Sequence, residues 1–235
     1  MIIDSSRYQL RKLIVEIRHP ANLLHSQNIG SALQELVPDF EQVAKTGGEL
    51  PDTVELMNKA SFCRIGCEWN KLVYVQEQLA DVASGSSNFK KYLSHIISRL
   101  GIEVFSRVGV RTFFMFSVDN DYDHLLKWYN DTFLNSIDSY AVFGKIADTG
   151  PVVLNGSDDR YKFNLNIAPM AKDEFRNKLS DFKSSTDTMG NALLVDLDLY
   201  FVSKGKYKPV SIAEDAIEQA RIKVVQFIEQ FSKKK

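Results

Sequence analysis

Residues 191–202, NALLVDLDLYFV, place two aspartates inside an apolar run, and the pattern of this stretch decides how the fold is assigned. Side chains along a β-strand point alternately to the two faces of a sheet. Val195 and Leu197 therefore share one face, whereas Asp196 and Asp198 share the other. One apolar face and one polar face are typical of an antiparallel sheet that is covered on one side only.

A second strand is predicted over residues 104–118, VFSRVGVRTFFMFSV, and it carries the opposite charge. Arg107, Gly109 and Arg111 alternate with valines, so the two arginines project from one face. Opposite charges on neighbouring strands contribute about 0.2–1 kcal/mol per pair. We expect the arginines to pair with the aspartates across adjacent strands, and removal of Asp198 to offset part of the effect of losing Arg111.

A third strand is predicted over residues 7–18, with Leu13 and Val15 on its apolar face and Glu16 and Arg18 on its polar face. We interpret the charged residues of the three strands mainly as a cross-strand ladder of ion pairs. A functional polar groove and a metal site are the alternatives. The same face supplies the candidate binding residues, which are Glu16, Arg18, Arg107, Arg111, Asp196 and Asp198.

Two hairpins are predicted from β-rich runs separated by turn residues. Residues 61–69 and 71–78 meet around Asn70. The second hairpin covers residues 151–167, and we expect it to turn at residues 155–157, Asn-Gly-Ser, because Asn-Gly favours tight hairpin turns.

Helical spacing predicts a short helix over residues 28–37, which Pro38 ends. Residues 84–87, Ser-Gly-Ser-Ser, are expected to form a loop and cap the next helix, which ends at Gly101. The residues that this second helix should bury are Phe89, Leu93, Ile96, Ile97 and Leu100.

Two further helices are predicted in the second part of the chain. Asp119 or Asp121 should cap the first of them. The last helix carries a capping box, Ser211 and Glu214, with Pro209 just ahead of it. Its apolar stripe, which we expect to pack on the sheet, is Ala213, Ile217, Ala220, Val224, Phe227, Ile228 and Phe231.

The order of the predicted elements repeats once along the chain. Strand, helix, hairpin and helix are followed by strand, helix, hairpin, strand and helix. We therefore predict an α+β fold of two pseudo-repeated halves, with mostly antiparallel strands and with helices packed over one sheet face. Residues 1–102 form the N-terminal αβ half, and residues 103–235 form the C-terminal αβ half with its long C-terminal helix.

The run RVGVRTFFMF resembles the R-x-G-x-R-Y strand of a sporadically distributed family of uncharacterised bacterial proteins, often carried on mobile elements. The runs LIVEIRHP, KLVYVQEQ, SSNFKKYLSHIISRLGI and VDLDLYF fall in the order of that family. Thr112 departs from the motif, since an aromatic residue usually follows the second arginine. The family has no established activity. The resemblance implies a bacterial or phage cytoplasmic protein that acts in conflict between a host and a mobile element.

Composition excludes several classes of protein. The 235 residues include 29 Lys and Arg and 30 Asp and Glu, so the net charge is −1, which disfavours a nucleic-acid partner. Asp4 interrupts the apolar core that a signal peptide needs, and no apolar stretch approaches the ~18 residues that span a bilayer. We expect a cytoplasmic protein without a membrane partner.

The sequence offers no recognisable catalytic constellation. Cys63 and Cys67 have neither redox nor clear zinc spacing, and we expect buried thiols on one face of a strand. The four histidines are scattered, G-x-S-x-G is absent, and Gly144-Lys145 lacks the rest of a phosphate-binding loop. Catalytic residues stay unassigned, and no metal or cofactor is expected.

These observations favour a non-enzymatic binding or regulatory module in bacterial defence or mobile-element biology. Its partner would be another protein or a second copy of the chain. The alternative is a metal-assisted phosphoryl or nucleotide enzyme that uses Asp196 and Asp198 as ligands. A third hypothesis, nucleic-acid binding through Arg64, Arg107 and Arg111, predicts steep salt dependence.

Overall fold

A computed structural model describes residues 3–21, 23–46, 53–79, 82–118, 121–134, 150–182 and 190–232. The strands in these ranges are β1 (Tyr8–Arg18), β2 (Gln42–Thr46), β3 (Thr53–Asn58), β4 (Cys63–Glu68), β5 (Lys71–Glu77), β6 (Phe105–Ser117), β7 (Val152–Ser157), β8 (Lys162–Met170) and β9 (Ala192–Gly205). The α-helices are α1 (Leu23–Gln34), α2 (Val82–Leu100), α3 (Tyr122–Phe133), α4 (Glu174–Lys178) and α5 (Pro209–Ser232). A short 3-10 helix, Val37–Asp39, follows α1.

All nine described strands belong to one sheet, in the order β2-β3-β4-β5-β1-β6-β9-β8-β7. Every neighbouring pair is antiparallel. The strands β1 and β6 lie side by side near the centre, with Val15 opposite Val110. Strands that precede β6 in sequence lie on one side of this pair, and strands that follow β6 lie on the other.

The connections repeat on the two sides of the central pair. On one side β1 pairs with β5, which leads into α2, and on the other side β6 pairs with β9, which leads into α5. The two sides therefore share one series of elements. On the first side the series is β1, α1, β3, β4, β5 and α2, and on the second side it is β6, α3, β7, β8, β9 and α5. The edge strand β2 has no counterpart among the described residues. The predicted α+β class with two pseudo-repeated halves is confirmed.

The four longer helices cover one face of the sheet, where a single apolar cluster forms the main core. A smaller apolar cluster lies on the opposite face, where Phe175 of α4 packs edge-on against Phe113 with 6.1 Å between ring centroids. The short helix α4 is thus the exception to the prediction that helices pack over one face. The main core includes Leu13, Val15, Ile17, Val110, Phe114, Val195, Leu197, Leu199 and Val224.

Thr112 lies in this main core. Thr112 is fully buried between Leu13 and Leu197 in the register of the sheet. Its hydroxyl donates to the carbonyl of Leu197 at 3.2 Å, so the buried polar atom has a partner.

The predicted turn of the second hairpin is wrong. Residues 155–157 belong to strand β7, and the chain turns at residues 158–161 instead. The Asp158 carboxylate accepts the backbone N–H groups of Arg160 and Tyr161 at 2.9 and 2.7 Å, which closes the turn. Gly156 instead gives room for the Phe163 ring, because a Cβ added at residue 156 would lie 2.6 Å from that ring.

Three predicted helix starts are also wrong. Helix α1 begins at Leu23 rather than at residue 28, and it ends at Gln34, so Pro38 lies in the 3-10 helix that follows and does not end α1. Helix α2 begins at Val82, so residues 84–87 lie within the helix rather than before it. Helix α5 begins at Pro209, because proline fits the first helical turn, where its missing N–H has no partner to lose. The Ser211 capping box is therefore not formed, and Glu214 makes an ion pair with Lys90.

Other local predictions are confirmed. Asp121 caps α3 by accepting the N–H of His124 at 2.9 Å. Cys63 and Cys67 are buried free thiols on one face of β4, and burial raises the pKa of each to about 12. Residues of the predicted helix faces that are buried include Phe89, Leu93, Ile96, Leu100, Ala213, Ile217, Ala220, Val224 and Ile228.

Some predictions fall outside the described residues. They are Asp119 as a cap and Gly144-Lys145. Among the helices that are described, none is both long enough and apolar enough to cross a membrane.

We expect Val224→Asp to unfold the protein. Val224 is 2% exposed in α5, and an unpaired carboxylate there should cost more than about 4 kcal/mol, which approaches the whole stability of many domains. Gln226→Asp, at an exposed position of the same helix, is the matched control. Circular dichroism and urea unfolding would measure both variants. A folded Val224→Asp protein that loses an oligomeric state would instead identify α5 as an interface.

Candidate binding face

The six candidate residues lie on the same face of three adjacent strands, β1, β6 and β9. This is the face opposite the four longer helices, and we call it the polar face. The structure brings all six side chains together on this face, where ion pairs join them in two groups. One group consists of Glu16, Arg18, Arg107 and Asp198, and the other of Arg111 and Asp196; we call the six residues together the network.

The strongest pair in this network joins Arg111 to Asp196. The Nε and Nη2 atoms of Arg111 donate to the two carboxylate oxygens at 2.8 and 2.6 Å, which is the bidentate geometry of a strong ion pair. Asn166 donates a further hydrogen bond to Asp196 at 3.2 Å. The hydrogen bond to Asp196 is the main cause that raises the pKa of Arg111.

The partner of Arg111 is thus Asp196 rather than Asp198. Asp198 is its backbone partner in the register of β6 and β9, but the arginine leans diagonally along the strand. Diagonal neighbours across a sheet lie about 7–8 Å apart, within reach of a long side chain. The predicted cross-strand pairing therefore holds, with Asp196 as the residue whose loss should offset the loss of Arg111.

Gly109 explains how Arg107 reaches Asp198. Arg107 lies opposite Val202, so its side chain must extend past Gly109, whose added Cβ would lie 3.5 Å from the guanidinium. The guanidinium stacks on the Tyr200 ring, 4.6 Å from its centroid, and lies 3.4 Å from Asp198. The glycine between the two arginines of the motif thus gives the first arginine room to lie along the strand.

Burial governs the acidity of Asp198. Desolvation raises the pKa of this carboxyl above its ordinary value. The charge of Arg107 and a hydrogen bond from Asn164 lower the pKa, but they do not cancel the effect of burial. The folded protein therefore binds this proton more tightly than the unfolded chain does. Protonated Asp198 therefore contributes its full stabilisation of the folded state at pH values below the ordinary pKa of an aspartate. This contribution is lost as the pH rises through the raised pKa of Asp198 in the folded protein.

Glu16 joins β1 to this network. Its Oε1 accepts from Nε of Arg18 at 2.7 Å and lies 3.5 Å from Nη1 of Arg107. A single carboxylate on β1 thus contacts one arginine of its own strand and one of β6.

The exposed groups of the network are mainly cationic. The Arg111 side chain is 45% exposed above Asp196, which is 7% exposed. The Arg18 side chain is 48% exposed, against 23% for Glu16. Within the described residues, Nη1 of Arg111 has no hydrogen-bond partner. A molecule that approaches the polar face therefore meets guanidinium groups that less exposed carboxylates already hold in place.

Sequence reasoning missed a second cluster on the same face. Lys12 is buried, and its ammonium donates to the carbonyl of Leu179 and to Asp181, both at 2.8 Å. It also lies 3.3 Å from Glu77, which accepts the N–H of Asp181 at 2.7 Å. Asp181 in turn contacts Arg64 at 3.1 Å. This cluster holds the segment that follows α4 against one end of the polar face.

The geometry limits what the aspartates could do as metal ligands. Both oxygens of Asp196 already accept from Arg111, and Asp198 accepts from Arg107 and Asn164. In the described part of the chain, no group of three or more His, Cys, Asp or Glu side chains is placed to hold a metal ion.

Comparison of this chain with models of protein families and with curated proteins finds no match.

We expect a double-mutant cycle to show that Arg111 and Asp196 interact directly. Arg111→Ala leaves the buried Asp196 carboxylate with the neutral Asn166 as its remaining partner. The variant should therefore lose about 2–3 kcal/mol of unfolding free energy, which lies between the loss for an exposed ion pair and the loss for a fully buried one. Asp196→Ala should offset about 1–2 kcal/mol of that cost, as measured by urea unfolding.

The matched control for this cycle pairs Arg111→Ala with Asp198→Ala. Since Asp198 is not bonded to Arg111, that coupling should be clearly smaller. Strict additivity of Arg111→Ala and Asp196→Ala would contradict the assigned contact.

Substitution of Gly109 should move the pKa of Asp198. Gly109→Val places methyl groups where the Arg107 guanidinium lies, so the arginine is displaced and the pKa rises further. Gly109→Ala adds one carbon at an ordinary contact distance of 3.5 Å and should leave the pKa unchanged. Carbon-detected NMR titration of the Asp198 carboxyl would measure both, and equal pKa values in the two variants would rule out this role for the glycine.

Proposed function

We propose that this protein is a non-enzymatic binding module that recognises an acidic surface of another protein through the polar face. The observation that carries the proposal is the exposure of Arg18 and Arg111 above carboxylates that are more deeply buried. Arginine forms bidentate hydrogen bonds with carboxylates and is enriched at the energetic centres of protein interfaces. A partner that presents Asp or Glu side chains fits such a surface.

The rigidity of the arginines also supports recognition. Arg107 is fixed by Tyr200, Glu16 and Asp198, and Arg111 is fixed by Asp196. Side chains that are already ordered lose little conformational entropy when they bind. Because each arginine stands on a strand of the sheet, its position does not depend on a loop.

An acidic protein partner fits better than a polyanion or a metal-bound nucleotide. A nucleic-acid interface requires an excess of basic residues, whereas this face is neutralised by its own carboxylates. A phosphoryl-transfer site that uses Asp196 and Asp198 requires those oxygens for a cation. Arginine and asparagine side chains donate to both oxygens of Asp196 and to Oδ2 of Asp198.

The cellular setting belongs to the same proposal. The R-x-G-x-R strand resembles that of bacterial proteins carried on mobile elements. We therefore place the module in the cytoplasm of a bacterium, as a component of defence or of mobile-element biology that acts by capturing another protein.

Capture from a lysate of the native host would test the proposal. The wild-type chain and the variant Arg18→Ser/Arg111→Gln would be immobilised, and bound proteins identified by mass spectrometry. We expect an acidic protein that the wild type retains and the variant loses by at least tenfold. Retention should weaken as salt rises, because the contacts are ionic.

Arg160→Ser is the matched control for this experiment. Arg160 is 53% exposed at the β7–β8 turn, away from the polar face, so its loss should not change capture. Equal capture by all three chains would contradict the proposal. A rise in melting temperature with Mg²⁺, Mn²⁺ and nucleotides, together with turnover of the nucleotide, would favour the phosphoryl enzyme instead. Retention of DNA that falls steeply with salt would favour a nucleic-acid partner.

A further inference from the structure

We propose a binding site for one small amphiphile, an apolar chain with an anionic head, between helix α5 and strands β8 and β9. The site lies on the helix-covered side of the sheet, opposite the polar face. It is therefore independent of the function proposed above.

The site is an apolar cavity of about 250 Å³. Val224 and Phe227 of α5 form one wall. The opposite wall consists of side chains from the apolar positions of two strands, which are Phe163, Leu165, Val195, Leu197 and Leu199. The two apolar walls offer no hydrogen-bond partners to water, so the cavity favours an apolar ligand.

One ion pair supplies the polar groups at the edge of the cavity. The Lys223 ammonium lies 3.0 Å from Asp158, and both side chains are about 40% exposed. Asp158 also accepts the backbone N–H groups of Arg160 and Tyr161, and these bonds hold its pKa at about 2. The carboxylate therefore has three partners and stays ionised, whereas the ammonium has three N–H groups and one partner among the described residues.

This arrangement selects the ligand. A cation at the head would meet an ammonium and a carboxylate that is already occupied. An anionic head would instead accept from the remaining donors of Lys223 while its chain fills the cavity. A cavity of about 150 Å³ holds benzene, so about 250 Å³ has room for roughly eight to ten carbon atoms. A medium-chain carboxylate is the simplest molecule with these properties.

Isothermal titration calorimetry with octanoate would test the site, with 1-octanol as the uncharged comparison. We expect saturable binding of one octanoate per chain, at least tenfold tighter than the binding of octanol. NMR spectra of the wild-type chain should show shifts of methyl signals from Leu165, Val195 and Leu199 on titration, without matching shifts on the polar face.

Two variants separate the contributions of the chain and the head of the ligand. Leu165→Trp fills the cavity from a partly exposed position. The affinities for octanoate and for octanol should both fall by at least tenfold. Lys223→Met keeps the length of the side chain without the charge, so octanoate should lose its advantage over octanol. Lys223→Arg is the control that should keep it.

The absence of saturable octanoate binding, or equal affinity in Leu165→Trp, would overturn the site. Methyl shifts that miss all three lining residues would overturn it as well, even if Leu165→Trp fails to fold. A preference for octanoate that survives in Lys223→Met would overturn the assigned role of the ammonium.

Discussion

The register of β6 between β1 and β9 is the constraint on which the rest of the structure depends. In this register Val110 and Phe114 point into the helix-covered core, and Arg107 and Arg111 point to the opposite face. Because successive side chains alternate, a slip of one residue would bury both arginines and expose the core residues. The ion pairs across β6 and β9 form on the polar face in this register. The architecture and the polar face therefore have the same origin.

The sequence alone predicted what depends on alternation along a single strand. The apolar and polar faces of β1, β6 and β9 follow from periods of two, and the six charged residues of the polar face could be named on that basis. The Lys12 cluster could not be predicted, because its partner Asp181 is 169 residues away in a polar stretch without a strand pattern. The turn at Asp158 was missed because Asn155-Gly156 is the stronger local signal, whereas the position of Gly156 beside Phe163 is a matter of packing.

Stability and the recognition that we propose make different demands on the ion pairs of the polar face. For stability alone, isolated surface pairs contribute little, and apolar residues could replace them at similar cost. For recognition, a guanidinium held by a carboxylate beneath it is already oriented and needs little further ordering. The exposure of Arg111 above the buried Asp196 leaves part of the guanidinium accessible to the partner that we propose.

Strand β9 connects the two sites that we propose. Its even-numbered residues 196 and 198 contribute carboxylates to the polar face, and its odd-numbered residues 195, 197 and 199 line the cavity under α5. Both sites are thus built on one rigid strand, where positions are more precise than on a loop. A ligand under α5 could influence the polar face only by moving β9 as a whole. Since β9 is bonded to β6 and β8 along most of its length, such a movement would break many hydrogen bonds. The two sites should therefore bind their ligands independently.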